Sequence, residues 1–355
     1  MRTLAMAMLI LATACGQVNA VPYRIRDLGI IGGSESFVRG INDHGQVVGT
    51  TDNGFGSWPY RAFLLADGVM RDIGTLGGTN SSACCINNSG QVVGSSRTDS
   101  DSTHAFLWQD GTMLDLNTLG GASSAAGAIN DIGQVVGSSS TADGSNHAFL
   151  WQEGVMQDLG TLGGGYGHAH DINDNGQIVG GADTADGFSK AFLWQDGVMQ
   201  NLGTLGGRSS TANGINNSGQ VVGWSSLADG GHRAFLWQNG TMQDLGTLGA
   251  DSYASSINDS EQIVGYYCTP DFLRRASLWQ GGMIYDLGTL PGGNSSQASA
   301  INNAGQIVGW SDTADGERHA VLWEPVPEPS SLLALGGGLA AVCLPWIRRR
   351  VRMRA

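Results

Sequence analysis

Lysine is almost absent from this chain of 355 residues: Lys190 is the only one. Once the first 20 and last 30 residues, which differ in character, are set aside, 12 basic residues face 30 acidic ones, a net charge near −18. Such a body repels nucleic acid and anionic membrane surfaces, leaving cations, neutral glycans and basic proteins as partners. Cysteine is nearly as scarce. Between Cys15 and Cys343, near the two ends, only Cys84, Cys85 and Cys268 remain, and the first two are neighbours. That excludes a disulfide scaffold, so packing must supply the stability. No stretch carries the 3.6-residue apolar period of an amphipathic helix. G-x-S-x-G, H-E-x-x-H, P-loop and dinucleotide fingerprints are all missing. The carboxylates lie in repeated turns, without an asymmetric acid/base pair. No catalytic residue, metal site or cofactor is assigned on this basis.

The two ends have their own signatures. Residues 1–20 carry Arg2, an apolar run from Leu4 to Ala14, and Val18-Asn19-Ala20 as a small-residue cleavage site, the layout of a secretory signal peptide. At the other end, Pro327-Glu328-Pro329 precedes an apolar stretch from Ser331 to Ile347, barely long enough to cross a bilayer. Arg348, Arg349, Arg350, Arg352 and Arg354 follow, a cluster that stays cytoplasmic and leaves the preceding chain outside. This order of elements over 326–355 resembles the PEP-CTERM sorting tail of Gram-negative bacteria. The resemblance implies an exosortase as processing partner and transient membrane anchoring by the tail. An exported protein of the periplasm, cell surface or extracellular space is the expectation.

What fills the chain between its ends is repetition. Ile172–Gly180 reads INDNGQIVG, and near copies begin at Ile41, Ile86, Ile129, Ile215, Ile257 and Ile301, about 43 residues apart. Repeats of this length mark solenoids, propellers or arrays. Each unit supplies four candidate strands: a small-residue run into Ile-Asn, then GQVVG, then an A-x-L-W strand, then VMQDLG. Asn-Asp-x-Gly and Asp-Gly or Asn-Gly between them are hairpin turns. In the turn, Asn173 and Asn175 are expected to bond the backbone, Gly176 to take positive φ, and Gln177 to tie its unit to the next. Successive apolar positions in the second and third strands predict burial of both sheet faces, as in stacked propeller blades.

The last unit ends after its third strand, at 319–325, while PYRIRDLG (22–29) matches a fourth strand with no unit before it. Pairing Tyr23–Leu28 with Ala320–Trp323 would leave no open edge. The fold expected is therefore all-β: a seven-bladed β-propeller of four-stranded blades over 21–325, closed by the N-terminal strand in the last blade. The third strands begin with His-Ala-Phe at 104–106 and 147–149, and in this the repeat resembles the bacterial extracellular HAF-repeat family. That resemblance implies an exported repeat protein and brings no activity, substrate or cofactor with it.

Comparing units locates a candidate site. Two sets of connections barely change, whereas those between fourth and first strands and between second and third strands vary, and both variable sets belong on one face. On the first strands, positions two and four before the Ile share a side. From these, Arg39, His168, His170, Asn213, Tyr253 and Gln297 are assigned to one binding pocket at the channel mouth. His168 and His170 followed by Asp171 lack a further metal ligand. The Thr-Ala-Asp-Gly copies at 141–144, 184–187 and 313–316 offer calcium oxygen ligands but read better as hydrated turns. His104, His147 and His319, at strand starts, are expected to satisfy backbone groups. The function expected is binding or structural, at the cell surface or in an exopolysaccharide or biofilm matrix, with a glycan or surface protein as partner and the protein a monomer. The alternative is a propeller hydrolase or lyase acting on polysaccharide.

Overall fold

The computed structural model describes residues 23–29, 36–52 and 60–326. The proposed signal peptide (1–20) and the tail residues Pro327, Glu328, Pro329, Arg348, Arg349 and Arg350 lie outside the described residues. Those described form 28 strands and no helix. The fold is all-β.

Unit four illustrates the pattern: Gly163–Ile172, Ile178–Thr184, Ser189–Gln195 and Val198–Asn201 pair antiparallel in that order. Asp196 and Gly197, with φ of 51° and 84°, make the two-residue turn into the outer strand, where positive φ at both central positions suits the strand twist. At Ile178–Val179 the second strand presents successive apolar residues to opposite faces. Ile178 packs on Ala128, Val136 and Leu150 of the unit before, and Val179 on Ala212, Ile215 and Val221 of the unit after. The core is thus distributed between sheets. Each cluster joins two neighbouring units, and one of them joins Val38, Ile41, Val47 and Phe63 of the first unit to Val308, Ala320 and Leu322 of the last. Every such fully buried Val or Phe is worth about 1.5–3 kcal/mol.

The Gly that closes INDNGQIVG has a steric reason. A Cβ on Gly180 would stand 2.0 Å from the backbone oxygen of His168 on the adjacent strand. Opposite it the register slips, from Ala169↔Gly180 to Asp171↔Val179, leaving His170 as the extra residue of a β-bulge. The first strands of the other six units bulge at the same place.

The turn after this strand works largely as expected. Asn173 Oδ1 accepts the N–H groups of Asn175 (3.1 Å) and Gln177 (3.0 Å), and Gly176 has φ of 75°. The inter-unit tie is different. Gln177 Oε1 accepts from Asn173 Nδ2, and Gln177 Nε2 bonds Gln195, all within one unit. Asn173 Nδ2 also donates to Asn216 O of the next unit, at 3.0 Å. The shorter amide at the strand end is the one that reaches across. Asn42, Asn87, Asn130, Asn216, Asn258 and Asn302 do the same, and Asn302 donates to Asn42 O at 2.9 Å, 260 residues back along the chain. Of the repeated glutamines, Gln220 reaches the next unit, at Glu261.

Strand Tyr23–Gly29 pairs antiparallel with Arg318–Pro325, with Ile25 opposite Trp323 and Asp27 opposite Val321. Tyr23 donates its hydroxyl proton to Gly305 O at 2.9 Å. Here the histidines find their role. His319 Nδ1 lies 2.9 Å from Asp27, as His104 and His147 lie 2.8 Å from Asp115 and Asp158. Their partners are carboxylates of the outer strand, where backbone groups were expected. Arg61 and Arg275 stand at the equivalent position and pair with Asp72 and Asp286. Lys190 stands there too and faces Asn201 in sequence; its Nζ instead donates to Arg208 O. In five of the seven units a nitrogen donor thus stands opposite an outer-strand carboxylate, a role that Arg can take from His; Arg233, at the same position in unit five, pairs with Asp251 instead.

Candidate functional site

The six residues assigned to one pocket divide between two places. Arg39, His170 and Asn213 line an axial cavity of about 270 Å³, into which all seven first strands project. His168 lies beside them, its ring 4.6 Å from that of His170, edge to face. Tyr253 and Gln297 face elsewhere, into an aromatic cluster described below. Side-chain period explains the sharing of a side; the bulge explains what that period misses. Because the bulge inserts a residue, Asp171 lines the axial cavity together with His170.

Within the cavity the chemistry is asymmetric. Asn213 Nδ2 donates to Ala254 O (2.8 Å), so its Oδ1 is left to accept from His170 Nδ1 at 3.2 Å. That places the proton of His170 on Nδ1 and leaves Nε2 a bare acceptor. Burial, with the charge of His170 adding to it, pushes the pKa of His168 down to about 3. Burial also lowers that of His170, against the hydrogen bond it donates to Asn213. Both imidazoles are therefore neutral at pH 7. Asp171 is raised to about 7 by burial, although its carboxylate accepts the N–H groups of Ile215 and Ile172, each at 2.9 Å. Cys84 and Cys85 also line the cavity, and burial pushes Cys85 up to about 11 and Cys84 higher still. These thiols are protonated and poor nucleophiles. Among the described residues, no group of three or more His, Cys, Asp or Glu is placed to hold a metal ion. The Thr-Ala-Asp-Gly turns use their carboxylates internally: Asp143, Asp186 and Asp315 accept the hydroxyls of Thr141, Thr184 and Thr313, bonds that lower their pKa values.

One mouth of the cavity is a ring of short polar side chains: Asp43, Asn88, Asp131, Asp174, Asn217, Asp259 and Asn303. Each backbone N–H donates to Oδ1 of the next member, Asn303 returning to Asp43. The three asparagine amides each bridge two flanking carboxylates. An odd ring cannot alternate throughout, and Asp131 and Asp174 are left side by side.

At the opposite face the variable segments meet. Isolated bridges tie Leu76 to Thr98, Leu119 to Thr141, Leu162 to Thr184 and Leu205 to Leu227. On this side, Tyr253 stacks on Tyr266 (4.9 Å, 17°) and on His232 (5.7 Å, 29°), and Trp224 meets His232 edge-on at 5.1 Å. Arg274 lies 4.9 Å over Tyr266 and donates to Gln297 Oε1 at 2.8 Å. In the next unit Arg318 covers Trp310 at 3.8 Å. Trp224, Tyr266 and Trp310 were overlooked in the sequence although a signal was there. They occupy the position after the repeated Gly, where the other four units carry Thr50, Ser95, Ser138 and Gly181.

Comparison with known proteins adds a location and a fold. Residues 325–350 match the PEP-CTERM protein-sorting motif. The chain carries an exosortase sorting signal. That signal marks an exported surface protein and supports the exosortase as its partner; the match covers the tail of the chain. The sequence has no match among curated proteins. Among solved structures, the β-propeller domain of the Trilobed protease from Pyrococcus furiosus superposes with a TM-score of 0.57 at 8% identity, over 81% of this chain and 95% of that one. A puromycin-hydrolyzing peptidase of Mycobacterium tuberculosis gives 0.50 at 12% identity, over 76% of this chain and 46% of the peptidase. At such identities the likeness concerns fold, and the fold is a β-propeller.

Proposed function

We propose that the chain is a closed, seven-bladed propeller held at the cell surface, where its variable-loop face binds neutral glycan of the surrounding matrix. Circular closure is supported by the pairing of the first strand with the last and by the Asn302-to-Asn42 bond that completes the amide series. Export is supported by the sorting motif at 325–350 and by the signal-peptide pattern at 1–20.

One observation carries the binding reading: the stacked cluster of Trp224, His232, Tyr253 and Tyr266, edged by Arg274 and Gln297. Aromatic faces accept the C–H faces of sugar rings, while amide and guanidinium groups at their rim bond hydroxyls. The net charge near −18 favours a neutral glycan over a polyanion.

A hydrolase or lyase is the second reading, and Asp171 favours it: a carboxyl titrating near neutrality in a cavity beside His170 suits a general acid. Against it, both oxygens of Asp171 are occupied by backbone N–H groups. The test is a glycan array on the full chain and on a Tyr253→Ala/Tyr266→Ala variant, with reducing-sugar release measured in parallel. Binding that falls at least tenfold in the variant, with no sugar released, supports the binding reading. Sugar release abolished by Asp171→Ala would replace it with the enzymatic one.

A further inference from the structure

A second cavity, of about 450 Å³, lies between the first and second units and shares Arg39 with the axial one. In a body so rich in acid its lining is unusual: Arg39 and Arg97 both contribute, and among the described residues that line it none is Asp or Glu. Arg97 is paired with Asp101. Arg39 is more than a third exposed and makes no hydrogen bond or ion pair among the described residues. Neither arginine is a feature of the repeat. At the position of Arg39 the other units carry Cys84, Gly127, His170, Asn213, Ser255 and Ser299, and at that of Arg97 they carry Asp52, Ser140, Asp183, Ser226, Cys268 and Asp312. Two neighbouring units thus each place a cation where no other unit does, and both cations line one cavity.

The rest of the wall has a complementary chemistry. Thr50 and Ser82 present hydroxyls, 2.6 Å apart. Asn80 lines the cavity as well, and its Oδ1 is buried without a hydrogen-bond partner, so it lacks a donor. Phe37 gives an apolar ring surface. The ligand that answers each of these groups has a carboxylate for the Arg39 fork, hydroxyls to donate to Asn80 and exchange with Thr50 and Ser82, and C–H surface for Phe37. The volume holds one or two sugar rings.

We propose that this cavity binds a sugar acid, a small polyhydroxylated carboxylate such as a single uronic acid residue. The site is separate from the aromatic cluster, and its test does not depend on glycan binding there. Calorimetric titration of the full chain with D-glucuronate, D-glucose and acetate reads the two halves of the ligand separately. D-Glucuronate should bind at least tenfold tighter than either D-glucose or acetate. Arg39→Ser installs the residue that Ser255 and Ser299 provide in other units, so the fold should survive, as its unfolding transition would confirm. It should weaken glucuronate at least tenfold and leave the remaining glucose affinity unchanged. Arg97→Ser should weaken glucuronate by a smaller factor, while Arg208→Gln, away from this cavity, should change nothing. Equal affinity for glucuronate and glucose, equal affinity for acetate, no binding at all, or full glucuronate affinity in a folded Arg39→Ser protein would each overturn the proposal.

Discussion

Replacing Asp171 by Ala should reverse part of the protein's response to pH. Asp171 titrates near 7 when folded, against about 3.9 for an unperturbed Asp, so its proton leaves the unfolded chain first as pH rises. Between those values the folded state holds the extra proton, and stability therefore falls with increasing pH. The gap of about three pKa units corresponds to roughly 4 kcal/mol, developed between about pH 4 and 7 and constant above. Ala is already the residue at this place in two other units, Ala128 and Ala300, so the substitution should be accommodated. Its fixed cost is loss of the acceptor for Ile172 and Ile215. His168 runs the other way: held neutral to about pH 3, it favours the fold more as pH rises towards 6.5. The measurement is urea unfolding of both proteins at intervals from pH 4.5 to 8.5. The difference in stability, variant minus parent, should climb by about 3 kcal/mol across that range, since part of the total has already developed by pH 4.5 and the other groups cancel. Parallel pH curves would refute the argument, showing that Asp171 is either ionised throughout or hydrated in the cavity.

Two further outcomes follow from the packing and the strand pairing. Phe192, fully buried between units three and four, should cost about 3–5 kcal/mol on truncation to Ala, measured as a shift in the urea midpoint at unchanged slope. His319 is held back by burial, but its bonds to Asp27 and Glu317 outweigh that and raise its pKa. The clasp on the first strand is therefore complete below about pH 6.5 and is lost as pH rises through the folded value. Limited proteolysis near Tyr23–Gly29 should quicken with rising pH in the parent protein, and should be fast and flat with pH in His319→Ala. A parent rate no more dependent on pH than the variant's would contradict that role for His319.

Much of the architecture is written locally. A second strand with apolar side chains on both faces can only sit between two other layers, so Ile178-Val179 by itself announces stacked sheets. Asp-Gly and Asn-Gly fix their turns through positive φ, which needs no distant partner. The surplus strand at Tyr23–Gly29 and the short last unit are visible by counting. The site was harder to read because its determinants are not local. Strict alternation puts His168 and His170 on one side, and the bulge then adds Asp171, which a period of two assigns to the other. Trp224, Tyr253, Tyr266 and Arg274 come from two adjacent units and meet only because the sheets stack, and Arg39 and Arg97 share a cavity for the same reason.

Sequence by itself determined the repeat, the strands, their turns and the layers above and below each sheet, since these follow from backbone sterics and side-chain alternation over a few residues. Tertiary structure alone decided that Asn173 ties its unit to the next while Gln177 stays at home. It also decided that His319 finds Asp27 292 residues away, and that a lone carboxyl is taken out of water. Those are questions of distance and desolvation between segments far apart in the chain, quantities that exist only once the sheets have packed.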